Sequence, residues 1–442
     1  MIIRNVTVLD GTSNPPQAGM DVLVTEGRFA DIRPAGTDVS TAPGGLDGEP
    51  ILDGRGGYLI PGLWEGHVHL SGVDRFEPEA AWFAYQREVL AGYIQTGITS
   101  VCDLGGSLVE VRRLRAAAAA DGTASSLYFA GPAFTGLDGW PLHGMENHGE
   151  TTGTESVDTV LALQVDNADA ACRHLPLMLD DVDYVKCIYD SVPGHGGQLP
   201  RAALEAVVAA AHDAGKKVLV HVAAGADLRD AVHAGADALE HSFVPRDPSD
   251  PSEAEEIAEL LARAGTLYCP TVVMSEQLGR TGDLEYLDEL IADGIVAPEE
   301  AVEIAARPMW GKAILPIDES KIRFDYTMST LRLFHDAGVK LVAGTDVALA
   351  MPSRAHALLR ELQLFAKAGI PGLDIIAAAT AHAAEKIGKR DTVGTITTGS
   401  VADAILLDAD PLTDITHVTD PRHRCAVIKS GHVVHQQPRN HE

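Results

Sequence analysis

Aromatic residues are scarce in this 442-residue chain, at 5%, and lysines and arginines are few, 34 against 63 aspartates and glutamates. With so few large rings, small aliphatic side chains must do most of the packing; alanine is abundant and runs unbroken over 116–120. The net charge of −29 repels phosphate backbones and anionic lipid faces, which argues against nucleic-acid and membrane partners. Cysteine is sparse too. The five, Cys102, Cys172, Cys187, Cys269 and Cys425, form no CxxC pair, and several lie inside apolar runs, the pattern of reduced, buried thiols. No apolar run approaches the roughly 20 residues that a membrane helix needs. The start of the chain reads as an alternating strand rather than a secretory leader, so the expectation is a soluble, cytoplasmic protein.

What is present is core material, 45% hydrophobic and 22% charged residues, enough for two or three ordinary domains or one barrel with an attachment. Residues 1–60 read as short strands separated by turn residues, and the same texture returns after about residue 390. Two strand-rich ends around a different middle predict one small β domain, a sandwich, assembled from 1–60 and 390–442. The middle, 61–389, alternates apolar strands with helical stretches. Eight strand candidates are 58–70, 98–104, 126–134, 183–189, 217–222, 236–243, 266–273 and 339–347. Eight such units are what a closed (β/α)8 barrel of the TIM type requires, and no glycine-rich dinucleotide fingerprint follows any strand. The alternative with the same local pattern is an open doubly wound sheet.

The first residues that carry chemistry are His67 and His69. On a strand, positions i and i+2 project to one face, so two imidazoles can meet one metal ion. With 18 histidines in the chain, chance alone supplies about 0.7 such pairs at the period of two, so the pair says little by itself. Its context says more. Lys186, His221, His241 and Asp346 each stand near the C-terminal end of a later apolar run. In a parallel barrel those ends gather at one face, the face that carries active sites.

This order resembles the amidohydrolase superfamily: HxH on the first strand, Lys on the fourth, His on the fifth and sixth, Asp on the eighth. Leu59-Ile-Pro-Gly-Leu-Trp-Glu-Gly-His67, Val339-Lys-Leu-Val-Ala-Gly-Thr-Asp346, Thr380-Ala-His-Ala-Ala384 and the run from Gly394 to Ala404 resemble its other segments. Val101-Cys-Asp-Leu-Gly-Gly106 and the Tyr-Val-Lys-Cys run at Lys186 are similar to the imidazolonepropionase-like and Xaa-Pro-dipeptidase-like hydrolases. The resemblance implies two divalent metal ions, most often zinc. His67, His69 and Asp346 would hold the first and His221 and His241 the second. Lys186 would bridge them as N6-carboxylysine, since an ammonium has no lone pair for a metal and a carbamate is an anionic oxygen ligand.

The implied reaction is attack of a metal-bridging hydroxide on a small-molecule C–N bond of amide type other than a peptide bond, with Asp346 as proton shuttle. His143, with His148 as the alternative, is the loop histidine placed to bind the carbonyl oxygen. Peptidase-like relatives often carry a tyrosine two positions after the fifth-strand histidine; here Ala223 stands there, which favours another amide or a cyclic or aromatic substrate. The same site also fits an ester, lactone or phosphotriester, and a mononuclear heterocycle deaminase is the rival that would not need Lys186. A non-enzymatic scaffold is disfavoured because all six positions are kept. A homo-oligomer is expected by analogy alone. Residues 275–336, with Tyr286, Trp310, Phe324 and Tyr326, read either as a lid at the catalytic face or as ordinary barrel helices with packing aromatics.

Overall fold

A computed structural model describes residues 1–37, 50–71, 79–142, 157–158, 160–192, 194–306, 310–311, 316–346 and 354–437. From the start of the chain, β1 (Ile2–Val8), β2 (Gln17–Thr25), β3 (Arg28–Pro34), β4 (Ile51–Asp53) and β5 (Tyr58–Pro61) lie in one mixed sheet. The middle contributes β6 (Leu63–Val68), β7 (Ile98–Asp103), β8 (Ser126–Phe129), β9 (Ala133–Thr135) and β10 (Ala162–Gln164). It continues with β11 (Val185–Tyr189), β12 (Val218–Val222), β13 (Ala238–Glu240) and β14 (Leu267–Cys269). The end of the chain returns to the mixed sheet with β15 (Ala404–Leu407), β16 (Arg424–Lys429) and β17 (His432–Gln436).

The mixed sheet runs β17-β16-β15-β5-β1-β2-β3, with β4 beside β1, so the two ends of the chain meet where β5 pairs antiparallel with β15. The expected sandwich is not formed among the described residues: there is one sheet of eight strands. Period-two alternation explains why no second sheet is needed. On β15, Ala404 and Leu406 join Val6, Val22 and Ile428 in a small core on one face. Ile405 and Leu407 point the other way, with Ile60, into the large core of the middle. The parallel part of the molecule takes the place of the second sheet.

In the middle, β6-β7-β8 form one parallel sheet and β10-β9-β11-β12-β13-β14 another. Helices follow the strands, among them Leu108–Asp121, Arg201–Asp213, Gly225–Ala234 and Ser252–Ala264. The last is typical: Ala254, Ile257, Ala258 and Leu261 recur at helical spacing and are buried, while the intervening glutamates face outward.

Three sequence runs are broken by the structure. The run 58–70 is divided at Gly62 between β5 and β6, which serve different sheets; a Cβ at Gly62 would lie 2.2 Å from Thr99 Oγ1. The run 126–134 bends after Phe129, so β8 ends one parallel sheet and β9 begins within the other. The described part of the run 339–347, residues 339–346, forms no ladder of its own. Leu341 bridges Tyr268 of β14, Val342 donates to Tyr268 O at 2.8 Å, and Gly66 of β6 donates to Ala343 O at 3.1 Å. Among the described residues the parallel strands fall into sheets of three and six, with this segment hydrogen-bonded to both.

The described residues of the stretch 275–336 include the helices Val272–Gly279, Leu284–Ala292, Pro298–Ala305 and Ile317–Asp336. Tyr286 and Tyr326 belong to the large core and Phe324 packs against it. Among the described residues no helix is long and apolar enough to cross a membrane.

The joint between the two parts gives a direct test. Ile405→Ala removes a fully buried side chain there and should cost about 2–5 kcal/mol in urea unfolding. A loss under about 1 kcal/mol would contradict its place in the large core.

Candidate metal centre

Of the six residues singled out in the sequence, His67, His69, His221 and His241 stand at or just past the C-terminal ends of parallel strands, Lys186 is the second residue of its strand, and Asp346 lies outside any ladder. His67 lies on β6 with His69 just past its end, Lys186 on β11 and His221 on β12, and His241 directly follows β13. Asp346 comes from the segment between β14 and β6, its N–H donating to His67 O at 2.8 Å. Asp346 Oδ1 is 3.4 Å from His67 Nε2 and 3.3 Å from His69 Nε2, and Oδ2 is 3.5 Å from His241 Nδ1. The rings of His67 and His241 are 4.7 Å apart, and those of His221 and His241 4.6 Å.

The backbone is forced at this point. His241 has φ +76° and Asp346 φ +49°, left-handed conformations that cost a non-glycine residue about 1–3 kcal/mol. Such strain persists only where the surroundings over-determine it. At Gly344 they do: a Cβ there would sit 2.8 Å from His67 N and from Cys269 Sγ. The chain can therefore press against β6 and β14 and still turn Asp346 inward.

Burial sets the charges. It pushes His67 down to about 4, and pushes His221 and, further, His241 below the usual imidazole range, so their lone pairs are free for a cation. Burial also lowers Lys186 to about 8, and its ammonium adds to the depression of these three histidines. For His69, burial is outweighed by the Asp346 carboxylate, which raises it. For Asp346 the same competition against His67 and His69 leaves the carboxyl low.

Among the buried polar atoms of the described residues that have no hydrogen-bond partner are His67 Nε2 and Lys186 Nζ. Both belong to the cluster. Ligand-type atoms of His67, His69 and Asp346 lie within 4.8 Å of one another, the spacing of groups around one ion. Neutral imidazoles, a carboxylate and orphaned nitrogens together fit divalent metal binding. A second grouping, His67 with Glu240 and Cys269, has no such need. Both oxygens of Glu240 are already used, and burial keeps the Cys269 thiol protonated.

The sequence reading missed the residues behind these. Glu240, with no exposed surface, faces His67 Nδ1 at 2.8 Å through Oε2 and accepts from Lys386 Nζ at 2.8 Å through Oε1. Burial opposes that carboxylate, but Lys386 and then His67 outweigh it and hold it far below its ordinary range. Glu65 accepts from the N–H groups of His67 and Thr345, each at 3.0 Å, and burial raises it to about 8. Asp103 accepts from Leu70 N and Gly105 N, and Gly105 O lies 3.1 Å from His69 Nδ1. Asp190 Oδ2 is 3.4 Å from His221 Nε2. Their signal was an acidic residue inside or at the end of an apolar strand. His143 and His148 lie outside the described residues.

The donor set could hold a metal ion, and the amidohydrolase family model matches residues 58–434. The chain belongs to the amidohydrolase family. It is 26% identical over 411 residues to ochratoxinase of Aspergillus niger, covering 84% of this chain and 75% of that one. The crystal structure of A. niger ochratoxinase superposes with a TM-score of 0.75 at 22% identity, covering 99% of this chain and 95% of that chain. A Xaa-Pro dipeptidase with methionine bound in its active site gives 0.72 at 21% identity, covering 99% of both. These likenesses imply the TIM-barrel fold with an added domain.

Lys386→Met should leave the Glu240 carboxylate buried without its cation and cost about 3–5 kcal/mol. Adding Glu240→Gln should restore much of it. Chemical denaturation checks this; a single substitution costing under about 1 kcal/mol would contradict the pairing.

Proposed function

We propose that the chain is a metal-dependent amidohydrolase that cleaves a C–N bond of amide type, other than a peptide bond, in a small molecule. The observation that carries this is the convergence of His67, His69, Lys186, His221, His241 and Asp346, with Lys186 Nζ and His67 Nε2 buried and unpartnered. In this reading residues 61–389 form a closed (β/α)8 hydrolase barrel, and 1–60 with 390–442 form one composite β domain.

His67, His69 and Asp346 would hold one ion and His221 and His241 a second, most simply zinc, with Lys186 as the bridging N6-carboxylysine. A lysine lowered to about 8 has a substantial share of free amine near neutral pH, which is what reaction with CO₂ requires. When bound, the ions supply Lewis acidity toward a carbonyl oxygen and lower the pKa of water at the site. The protein's own groups do the rest. Glu240 fixes the proton of His67 on Nδ1, so that Nε2 presents its lone pair to the cluster. Asp346 takes the proton of the attacking water and delivers it to the departing nitrogen, the route that lets an amine leave neutral. His143 is kept as the residue that binds the carbonyl oxygen. Ala223 leaves no hydroxyl where a dipeptide carboxylate would be gripped, which supports a non-peptide amide.

Dialysis against a chelator should abolish hydrolysis across a panel of N-acyl amino acids, cyclic imides and dipeptides, and added zinc should restore it. Asp346→Asn should lower kcat by about 10²-fold or more on whichever compound is cleaved, without unfolding. Full activity in Asp346→Asn would remove the shuttle; undiminished activity after chelation would remove the metal.

A further inference from the structure

One aromatic pair beside the cluster is not used by this reaction. His195, in the loop after β11, lies against Trp140, in the loop after β9, with ring centroids 5.1 Å apart and planes 31° from parallel. Both side chains are half-buried. His195 Nδ1 is 2.7 Å from Asp190 Oδ2, and the same oxygen is 3.4 Å from His221 Nε2, so one carboxylate oxygen separates His195 from the cluster. On the other side, Ala133 at the start of β9 lies near the Gly105 backbone that packs on His69, and Thr135 at its end donates to Trp140 O at 2.8 Å. The pair therefore stands on the His221 side of the cluster, with the Trp140 backbone tied to β9.

The two loops are locked together. A Cβ at Gly197 would lie 2.2 Å from Leu137 O, so the backbones touch where any other residue would hold them apart. Asp190 fixes the imidazole in its plane and Trp140 covers one face of it.

We propose that Trp140 and His195 form a recognition wall for a planar, conjugated group of the substrate, set beside the bond to be cleaved. Flat side chains held at a fixed angle offer a π-face to such a group at little further entropic cost. The proposal rests on the metal-centre reading for the position of the reacting bond, and on the loops alone for the wall itself.

Two hydroxamates that differ only in phenyl against methyl, benzohydroxamate and acetohydroxamate, separate the parts. On the metal-loaded full chain, benzohydroxamate should bind more tightly, and Trp140→Ala and His195→Ala should each shrink that preference about threefold or more. Acetohydroxamate affinity and metal content should not change. An equal preference in both variants, or none in the wild type, overturns the wall. Parallel loss of both ligands and of metal in His195→Ala also overturns it, because the histidine would then be a structural support. Benzamide against acetamide, followed by saturation-transfer NMR on metal-free protein, keeps the test separate from the metal reading. A benzamide preference that both variants lose supports the wall even if no metal binds, and its absence in the wild type counts against it.

Discussion

The carboxylate of Glu240 sits without exposed surface between the ammonium of Lys386 and Nδ1 of His67, and much of the architecture serves to keep that charge paired. A lone buried carboxylate would take up a proton; with Lys386 against it, this one stays charged. Its charge decides which nitrogen of His67 holds the proton, and therefore which nitrogen faces Asp346. Lys386 also donates to Gly66 O at 2.7 Å, so one cation fixes both the partner of His67 and the backbone beside it. Because Lys386 lies on the helix Ala381–Lys386 and Glu240 on β13, elements distant in the chain must be in register for the site to exist.

A second constraint is conformational. The cluster is assembled from strand ends, where the backbone is free to leave the ladder, and two of its members do so in left-handed conformations. Glu65 accepts the N–H groups of His67 and of Thr345, the neighbour of Asp346, and Asp103 accepts those of Leu70 and Gly105 just past the ends of β6 and β7. Burial, which supplies the low dielectric, acts on every group at once. It strips protons from His67, His221 and His241 and weakens the hold of Lys186 on its own, and Asp346 remains charged because it sits among them.

The alternation of strands and helices and the six donor residues could be read from the chain because each carries a local signature: a period of two, a helical stripe, a histidine or lysine at the end of an apolar run. Gly62 and Gly344 carry none that distinguishes them from turn glycines, since what they avoid is a contact with residues far away in sequence. For the same reason the breaks in 58–70 and 339–347 read as continuous strands. Glu240 and Lys386 were passed over because each alone looks like an ordinary charged residue, and only their meeting at 2.8 Å gives them meaning. The expected sandwich failed on similar grounds: alternation shows that both faces of β15 are apolar, but not that its second face meets helices and strands of the middle rather than another sheet.

Metal content per chain, by elemental analysis of the wild type beside Lys186→Ala, both produced with added zinc, tests the central claim most directly. The account predicts about two ions in the wild type and a clear fall in the variant, because the bridging oxygens are lost. One ion in both proteins, indifferent to the substitution, would contradict the bridged pair and leave Lys186 as a buried amine beside a mononuclear site.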